Sequence, residues 1–432
     1  MDPLRAVSTS RRGNGACATA TAACGAISSS SWRPTCPTPR RQSPWPRRSP
    51  SLPCISPQPR RSSVPHDRDE NAQADPRWLA RLSGEIAAAV AASPDRDAFP
   101  AEAFALLRRH GLSERPPVAS GSGLSLLRLL AAVGRGDLAV GRLFEGHVNA
   151  VDLIRRFGSA RVRSEVGAQL ADGALLGVWN TDARGDPLRL EGGRLAGKKN
   201  FASGVDGLSS AIVTVPEPAG RQMFLVRLAD AAVDRSWWRP LGMAASGSHI
   251  VDFSGLPPEA ITPLGEPGDY IAEPWFSGGA IRFAAVHVGG MEAVMDAAVE
   301  HLTKTGRAED PHQAHRIGRM GLAVASGNLW LREAAEAWDA AEAAAGADPE
   351  ASRLRATANG FRSLVEHSAM SVLEEAERAV GAAGFNAPHR LERLIPDLRT
   401  YLRQPNPDGA LTAYAKALVA GETGAGGSGI GR

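Results

Sequence analysis

The chain has 432 residues, enough for two or three domains with a sizeable core, and no run in it approaches the ~18 consecutive apolar residues that span a bilayer. Its formal net charge of +3 is unevenly placed: from Met1 to Pro65 the only acid is Asp2 while arginine recurs from Arg5 to Arg61, and the remainder is slightly acidic, which removes any charge argument for nucleic-acid binding by the folded part. Cys17, Cys24, Cys36 and Cys54 all fall in that same stretch and form no C-x-x-C pair, which excludes a disulfide framework elsewhere and leaves no zinc signature.

Residues 1–75 are rich in Ser, Pro, Arg and Thr and lack aliphatic periodicity, so disorder is the expectation. An Arg-rich, acid-poor leader has the composition of a transit peptide, but no amphipathic stripe accompanies it. It reads instead as an upstream extension outside the fold, a misplaced start codon being one source, and a cytoplasmic protein is the default. Helical spacing begins at Trp78, Leu79, Leu82, Ile86 and Val90, continues from Ala101 to His110, and resumes over Leu124–Val133 and Leu138–Phe157, with Gly134 and Gly136 at the break. This predicts a helical domain over 76–171.

From 172 to 263 the text changes to short Val-, Ile- and aromatic-rich segments punctuated by Gly, Pro and Asp, the pattern of consecutive antiparallel strands. Glu191-Gly192-Gly193 and Pro218-Ala219-Gly220 read as hairpin turns. Trp237 and Trp238, if in a strand, point to opposite faces. Helical pattern returns over 264–420: Phe276 to about Thr305, His312–Ala345, Ala351–Ala383, Arg390–Tyr401 and Asp408–Val419, a bundle of four or five antiparallel helices. The tail 421–432 satisfies G-x-G-x-x-G at Gly424–Gly429 but follows no strand and opens no helix, so it reads as a flexible tail.

The order helical, β, helical, together with Trp179-Asn180-Thr181-Asp182, Gly197-Lys198-Lys199-Asn200-Phe201-Ala202-Ser203-Gly204 and Leu241-Gly242-Met243, resembles the acyl-CoA dehydrogenase flavoprotein superfamily. The resemblance implies an α+β fold with an N-terminal helical domain, a central antiparallel β-barrel or sandwich and a C-terminal helical bundle, assembled as a homodimer or homotetramer around FAD. It puts Trp179, Asn180 and Thr181 along the flavin, Phe201 against it and Ser203 near N5. It further implies that Arg307, assisted by Gln313, and the Gly381–Gly384 loop of a neighbouring subunit hold the pyrophosphate. Paired guanidinium donors and open backbone N–H groups suit phosphate, although Gly381 and Gly384 also read as a helix C-cap.

The catalytic base departs from the family pattern. Dehydrogenases place a Glu where this chain has Pro405, and the other known place, beside Arg282, holds Ala280 and Ile281. Asp408 is the nearest carboxylate, its plainer reading being a helix N-cap. Arg282 could stabilise negative charge on an intermediate. His312 and His315 at i,i+3 lack surrounding carboxylates and suggest solvated helix residues; Ser248-His249 lacks the hydrolase elbow; His147 reads equally as a core histidine or a cavity residue.

The expectation is therefore a flavin-dependent oxidoreductase acting on CH–CH groups of an acyl thioester such as an acyl-CoA, or a similar small substrate, by hydride transfer to flavin N5, passing electrons to an acceptor flavoprotein. Two alternatives stand beside it: a two-component monooxygenase using O2 and reduced flavin from a separate reductase, and a catalytically silent scaffold that keeps the fold.

Overall fold

The computed structural model describes residues 75–404 and 406–423; the four cysteines, Pro405 and the tail from Gly424 onward lie outside these residues, as do the expectations that fall on them. The chain begins with α1 (Pro76–Ala91), started by Asp75, whose carboxylate accepts from the Arg77 N–H. Then come α2 (Ala101–Arg109), α3 (Gly123–Gly136) and α4 (Leu138–Phe157), the last capped by Asp137 through the Val140 N–H at 2.9 Å. Gly158 ends α4, and a separate helix α5 (Ala160–Ala171) follows, which the hydrophobic periodicity had not resolved as its own element.

Nine strands follow: β1 (Leu176–Trp179), β2 (Arg189–Glu191), β3 (Arg194–Ala196), β4 (Lys198–Ala202), β5 (Ser210–Glu217), β6 (Gly220–Arg227), β7 (Ala232–Asp234), β8 (His249–Asp252) and β9 (Ile261–Leu264). They form a four-stranded sheet β1-β5-β6-β9, a three-stranded sheet β4-β8-β7 and the β2-β3 hairpin. Both expected turns are present: Gly192 and Gly193 lie at φ 57° and 78° between β2 and β3, and Pro218-Ala219 joins β5 to β6. One pairing differs from the antiparallel expectation. β1 runs parallel to β5, because the chain makes the excursion through β2, β3 and β4 before returning.

The two faces of the larger sheet bury different cores. Trp179, Val213, Val215, Phe224 and Val226 pack toward the smaller sheet with Val251 and Phe253, while Leu176, Ile212, Met223 and Leu264 pack on Val162, Val166 and Leu170 of α5. Trp237 and Trp238 correct another expectation. They lie beyond β7 rather than in a strand, so the period-two rule does not apply, and their rings stack at 5.9 Å.

The C-terminal helices are α6 (Trp275–Lys304), α7 (Pro311–Ala343), α8 (Glu350–Val380), α9 (Leu391–Tyr401) and α10 (Pro407–Ala420). Helices α6–α9 share one apolar core with α1–α4. Among the described residues no helix is long and apolar enough to cross a membrane. The loop before β8 presses on α9 so closely that a Cβ on Gly242 would lie 2.1 Å from the Pro396 carbonyl oxygen, so glycine is required there. This contact joins the β region to the bundle.

Candidate active site

A bulge in β4 between Lys199 and Ala202 re-aims the strand's end. Phe201 adopts φ 52°, the left-handed region that disfavours a bulky side chain, and its ring is 39% exposed. It meets Trp237 edge-on at 5.0 Å and Trp238 at 6.1 Å. The result is an open aromatic face, with Leu241 95% exposed on the same loop as the tryptophans. Ser203 is buried, its Oγ 2.7 Å from Ser248 Oγ, which is in turn 2.9 Å from Ser246 Oγ.

Trp179 is a correction to the expected slot. It is 1% exposed, packs against Phe253, and donates its indole N–H to the Ser203 carbonyl at 3.1 Å. Its inward position on β1, an edge strand whose side chains here face the smaller sheet, makes it core beneath the platform rather than one wall of a cleft. Asn180 accepts through its side chain from Thr214 Oγ1 at 2.6 Å, and Thr181 is exposed while its carbonyl accepts from the Asn200 N–H at 2.9 Å.

Under this strand pair lies a charged knot. The Lys199 ammonium, fully buried, donates to Asp182 at 2.6 Å and to the Asn180 carbonyl at 3.0 Å, and Arg221 reaches the other oxygen of Asp182 at 3.1 Å. Burial pulls the Lys199 amine down to about 8, against the pull of Asp182.

A second polar group lies between α4, α6 and α9. Arg142, Glu145, Asn149 and Asp152 are spaced i, i+3, i+7 and i+10 along α4 and so share a face. Arg282 of α6, buried, donates to Asp152 at 2.7 Å and to Asn149 at 2.8 Å, with its guanidinium 4.7 Å over the Trp338 ring. Burial works upward on Asp152, but Arg282 and Arg156 outweigh it and hold the carboxyl at about 2. Glu145 is 3% exposed and accepts from Arg142 at 2.9 Å and from Asn149; burial raises its pKa despite both donors. Tyr401 at the end of α9 is buried with its hydroxyl unpartnered among the described residues, and burial, then the Glu145 charge, raise its pKa well above the ordinary value. Tyr270, before α6, is raised to about 12 by burial and by Glu145, against Arg221.

Glu145 and Arg142 were missed at the sequence level because apolar residues dominate the pattern of α4; the i, i+3, i+7, i+10 polar stripe was the available signal. His147 proves to be a fully buried core histidine. It accepts from the Leu176 N–H at 3.1 Å and lies 2.7 Å from the Ser113 carbonyl, and burial lowers its pKa to about 4.

The remaining candidates are dispersed. Asp408 is exposed in the first turn of α10, and the cap there is Asn406, which accepts from the Gly409 N–H at 3.2 Å, so Asp408 is not the N-cap. Arg307 is exposed between α6 and α7, and Gln313 is buried at the start of α7 with its Oε1 unpartnered. Gly381 closes α8 at φ 73° with nothing within 4 Å of a would-be Cβ, while Gly384 is buried in the 3-10 turn that follows. Gly381 is thus both helix C-cap and open backbone.

Residues 268–402 match the acyl-CoA dehydrogenase C-terminal domain family. Over those residues the chain resembles that family, and its fold is shared with solved structures of the acyl-CoA dehydrogenase-like superfamily. It is similar to the putative acyl-CoA dehydrogenase YdbM of Bacillus subtilis, 24% identical over 77% of this chain and 93% of the relative. It is also similar to a dibenzothiophene monooxygenase of Mycolicibacterium goodii, 22% identical over 64% of this chain and 75% of that protein. Among solved structures, TdsC from Paenibacillus sp. A11-2, a complex with FMN and indole, superposes with a TM-score of 0.67 at 17% identity, covering 79% of this chain and 97% of TdsC. The superfamily is flavin-binding and contains both dehydrogenases and monooxygenases.

The residues present fit a flavin. The Phe201–Trp237–Trp238 face offers apolar aromatic surface, with exposure where a ring system could lie. The Ser203 and Ser248 hydroxyls supply polar groups at its margin, and exposed Arg307 and open Gly381 are chemically suited to phosphate.

Proposed function

We propose that this protein is a two-component flavin-dependent monooxygenase, using reduced flavin from a separate reductase and O2 on a small organic substrate. The observation that carries this reading is at the end of α9. Where the family's dehydrogenases have a Glu, the chain reads Gln404-Pro405-Asn406, and the next carboxylate, Asp408, is exposed on α10. The similarity to a dibenzothiophene monooxygenase supports it.

When bound, the flavin would supply the two-electron chemistry. Phe201, with Trp237 and Trp238 behind it, binds the ring; the Ser203 hydroxyl orients its polar edge, with Asn180 and Thr181 alongside. Arg307 and Gln313, and Gly381 with Gly384 of a second copy, hold the phosphates, which makes FAD as well as FMN a candidate and the functional unit a homodimer or homotetramer. Arg282 is a positioning residue that fixes Asn149 and Asp152, the neighbours of Glu145 on α4.

A second reading, oxidation of an acyl thioester such as an acyl-CoA by hydride transfer to flavin N5, is favoured by the family match over residues 268–402 and by YdbM. Electrons would then leave to an acceptor flavoprotein, and Asp408 or another carboxylate would take the α-proton. A cytoplasmic location suits either chemistry.

Loading the purified protein with FMN or FAD and adding a panel of acyl-CoAs without oxygen separates the two. The monooxygenase reading expects no bleaching of the flavin, and oxygen uptake when reduced flavin is supplied. Bleaching by an acyl-CoA overturns it in favour of the dehydrogenase, and failure to bind either flavin supports a silent scaffold.

A further inference from the structure

Helices α1, α3, α6 and α7 together enclose an open hollow of about 250 Å3, which shares no lining residue with the aromatic platform. Its floor is apolar. Leu79, Ala131, Ala132 and Leu331 are buried there, and the two small alanines leave room above α3 that larger side chains would fill. Ala80 of α1 stands exposed at the rim.

The polar groups of the hollow are divided between two ends. α3 and α7 leave a common point, where the Gly123 N–H donates to Asp339 at 3.1 Å. Arg128 and Arg332 are the first lining residues reached along each helix from that point, and Arg135 and Asn328 are the last. Arg128 and Arg135, seven residues apart on α3, are separated by about 10 Å along its axis. At the far end the charges are matched: Arg135 lies 2.6 Å from Asp296 and 3.8 Å from Glu292, and the Asn328 amide donates to Glu292 at 2.9 Å. At the near end they are not. Arg128 is half-buried and Arg332 exposed, and neither lies within ion-pair distance of a carboxylate among the described residues.

This layout selects one kind of molecule. A guanidinium partly withdrawn from water gains more from an anion than one in bulk solvent, and it binds a carboxylate through paired donors. An anionic head is therefore drawn to Arg128 and Arg332 and repelled from the Glu292 and Asp296 end. An apolar body running from the one end toward the other covers Ala131, Ala132 and Leu331 and takes them out of water. A small acid without a body leaves that floor wet, and an alcohol leaves the arginines without an anion.

We propose that this hollow is a binding site for an amphipathic monocarboxylate, its head held by Arg128 and Arg332 and its apolar body lying on the floor between α1, α3 and α7. The site goes beyond the flavin reading and does not depend on it.

The test is isothermal titration of the full chain with octanoate, with acetate and octanol as the head and the body alone, and thermal unfolding run alongside. The wild type is expected to bind octanoate saturably and to unfold at a higher temperature in its presence. Acetate and octanol are each expected to bind at least about 10-fold more weakly. Arg128→Gln combined with Arg332→Gln is expected to weaken octanoate at least about 10-fold while leaving the weak binding of octanol unchanged. Ala80→Phe plugs the rim from an exposed position, is expected to abolish binding with both arginines in place, and decides the matter should the double variant fail to fold. No binding by the wild type, octanol bound as tightly as octanoate, or octanoate affinity unchanged in the double variant overturns the proposal. So does binding retained by Ala80→Phe, which would put octanoate elsewhere, the aromatic platform included.

Discussion

The backbone N–H of Met243 donates to Oδ1 of Asp397 at 2.5 Å, and this bond pins the loop behind the aromatic platform to helix α9. Met243 itself holds φ 65°, so the loop is strained where it is pinned. Asp397 lies 3.4 Å from Arg393, which also serves Asp137 at 3.4 Å. Burial first, then the negative charge of Asp137, push the Asp397 carboxyl up to about 6 from its ordinary 3.8.

Between those two values the folded chain keeps a proton that the unfolded chain has released, so stability falls as pH rises through the window and the loss is complete above about 6. Asp397→Asn keeps the acceptor for Met243 and removes the charge. It is expected to flatten this part of the pH–stability curve and to gain on the order of 2 kcal/mol over the wild type at neutral pH, read by urea unfolding. Asp397→Ala leaves the N–H unsatisfied and is expected to destabilise by about 1–3 kcal/mol. A neutral-pH loss in the Asn variant would show that the Arg393 pair outweighs burial.

Lys199 gives the opposite slope. Its buried amine titrates near 8 in the fold against an ordinary 10.5, so between these values the unfolded chain holds more protons and stability rises with pH. Lys199→Met is expected to lose that rise while Arg221 still partners Asp182. A variant whose stability climbs between these values as the wild type's does would contradict the assignment.

Arg282→Ala removes one of the three guanidinium groups on Asp152 and the cation over Trp338. The expected cost is about 3 kcal/mol in chemical denaturation. Arg282→Lys should recover less than half of it, because an ammonium cannot bond Asn149 and Asp152 through two nitrogens while stacked on an indole. Full recovery by lysine would mean that charge alone matters there.

The helices and the β region were legible because their periodicities differ and because Gly, Pro and Asp mark the breaks. The parallel pairing of β1 with β5 was not, since strand direction depends on the path of the intervening chain, which no local pattern encodes. Trp179 and Phe201 look alike in sequence as aromatics on neighbouring strands, yet one is core and the other exposed. The difference arises from the bulge before Ala202, a feature of pairing rather than composition. Glu145 and Arg142 were hidden for another reason: charged residues on a buried helix face interrupt an apolar stripe, and a reading that follows the stripe passes over them.

We propose that the exposed Phe201 ring, held in an unfavourable backbone conformation, carries a flavin. Phe201→Gly separates the two parts of that claim, since glycine accepts φ 52° without strain but offers no ring. Titration of FMN and FAD by fluorescence quenching, run alongside thermal unfolding, measures both. The wild type is expected to bind flavin and the glycine variant to bind it at least about 10-fold more weakly, a loss of roughly 1.4 kcal/mol, while unfolding at the same or a higher temperature. Equal flavin affinity in the two proteins, or no flavin binding by the wild type, would contradict it.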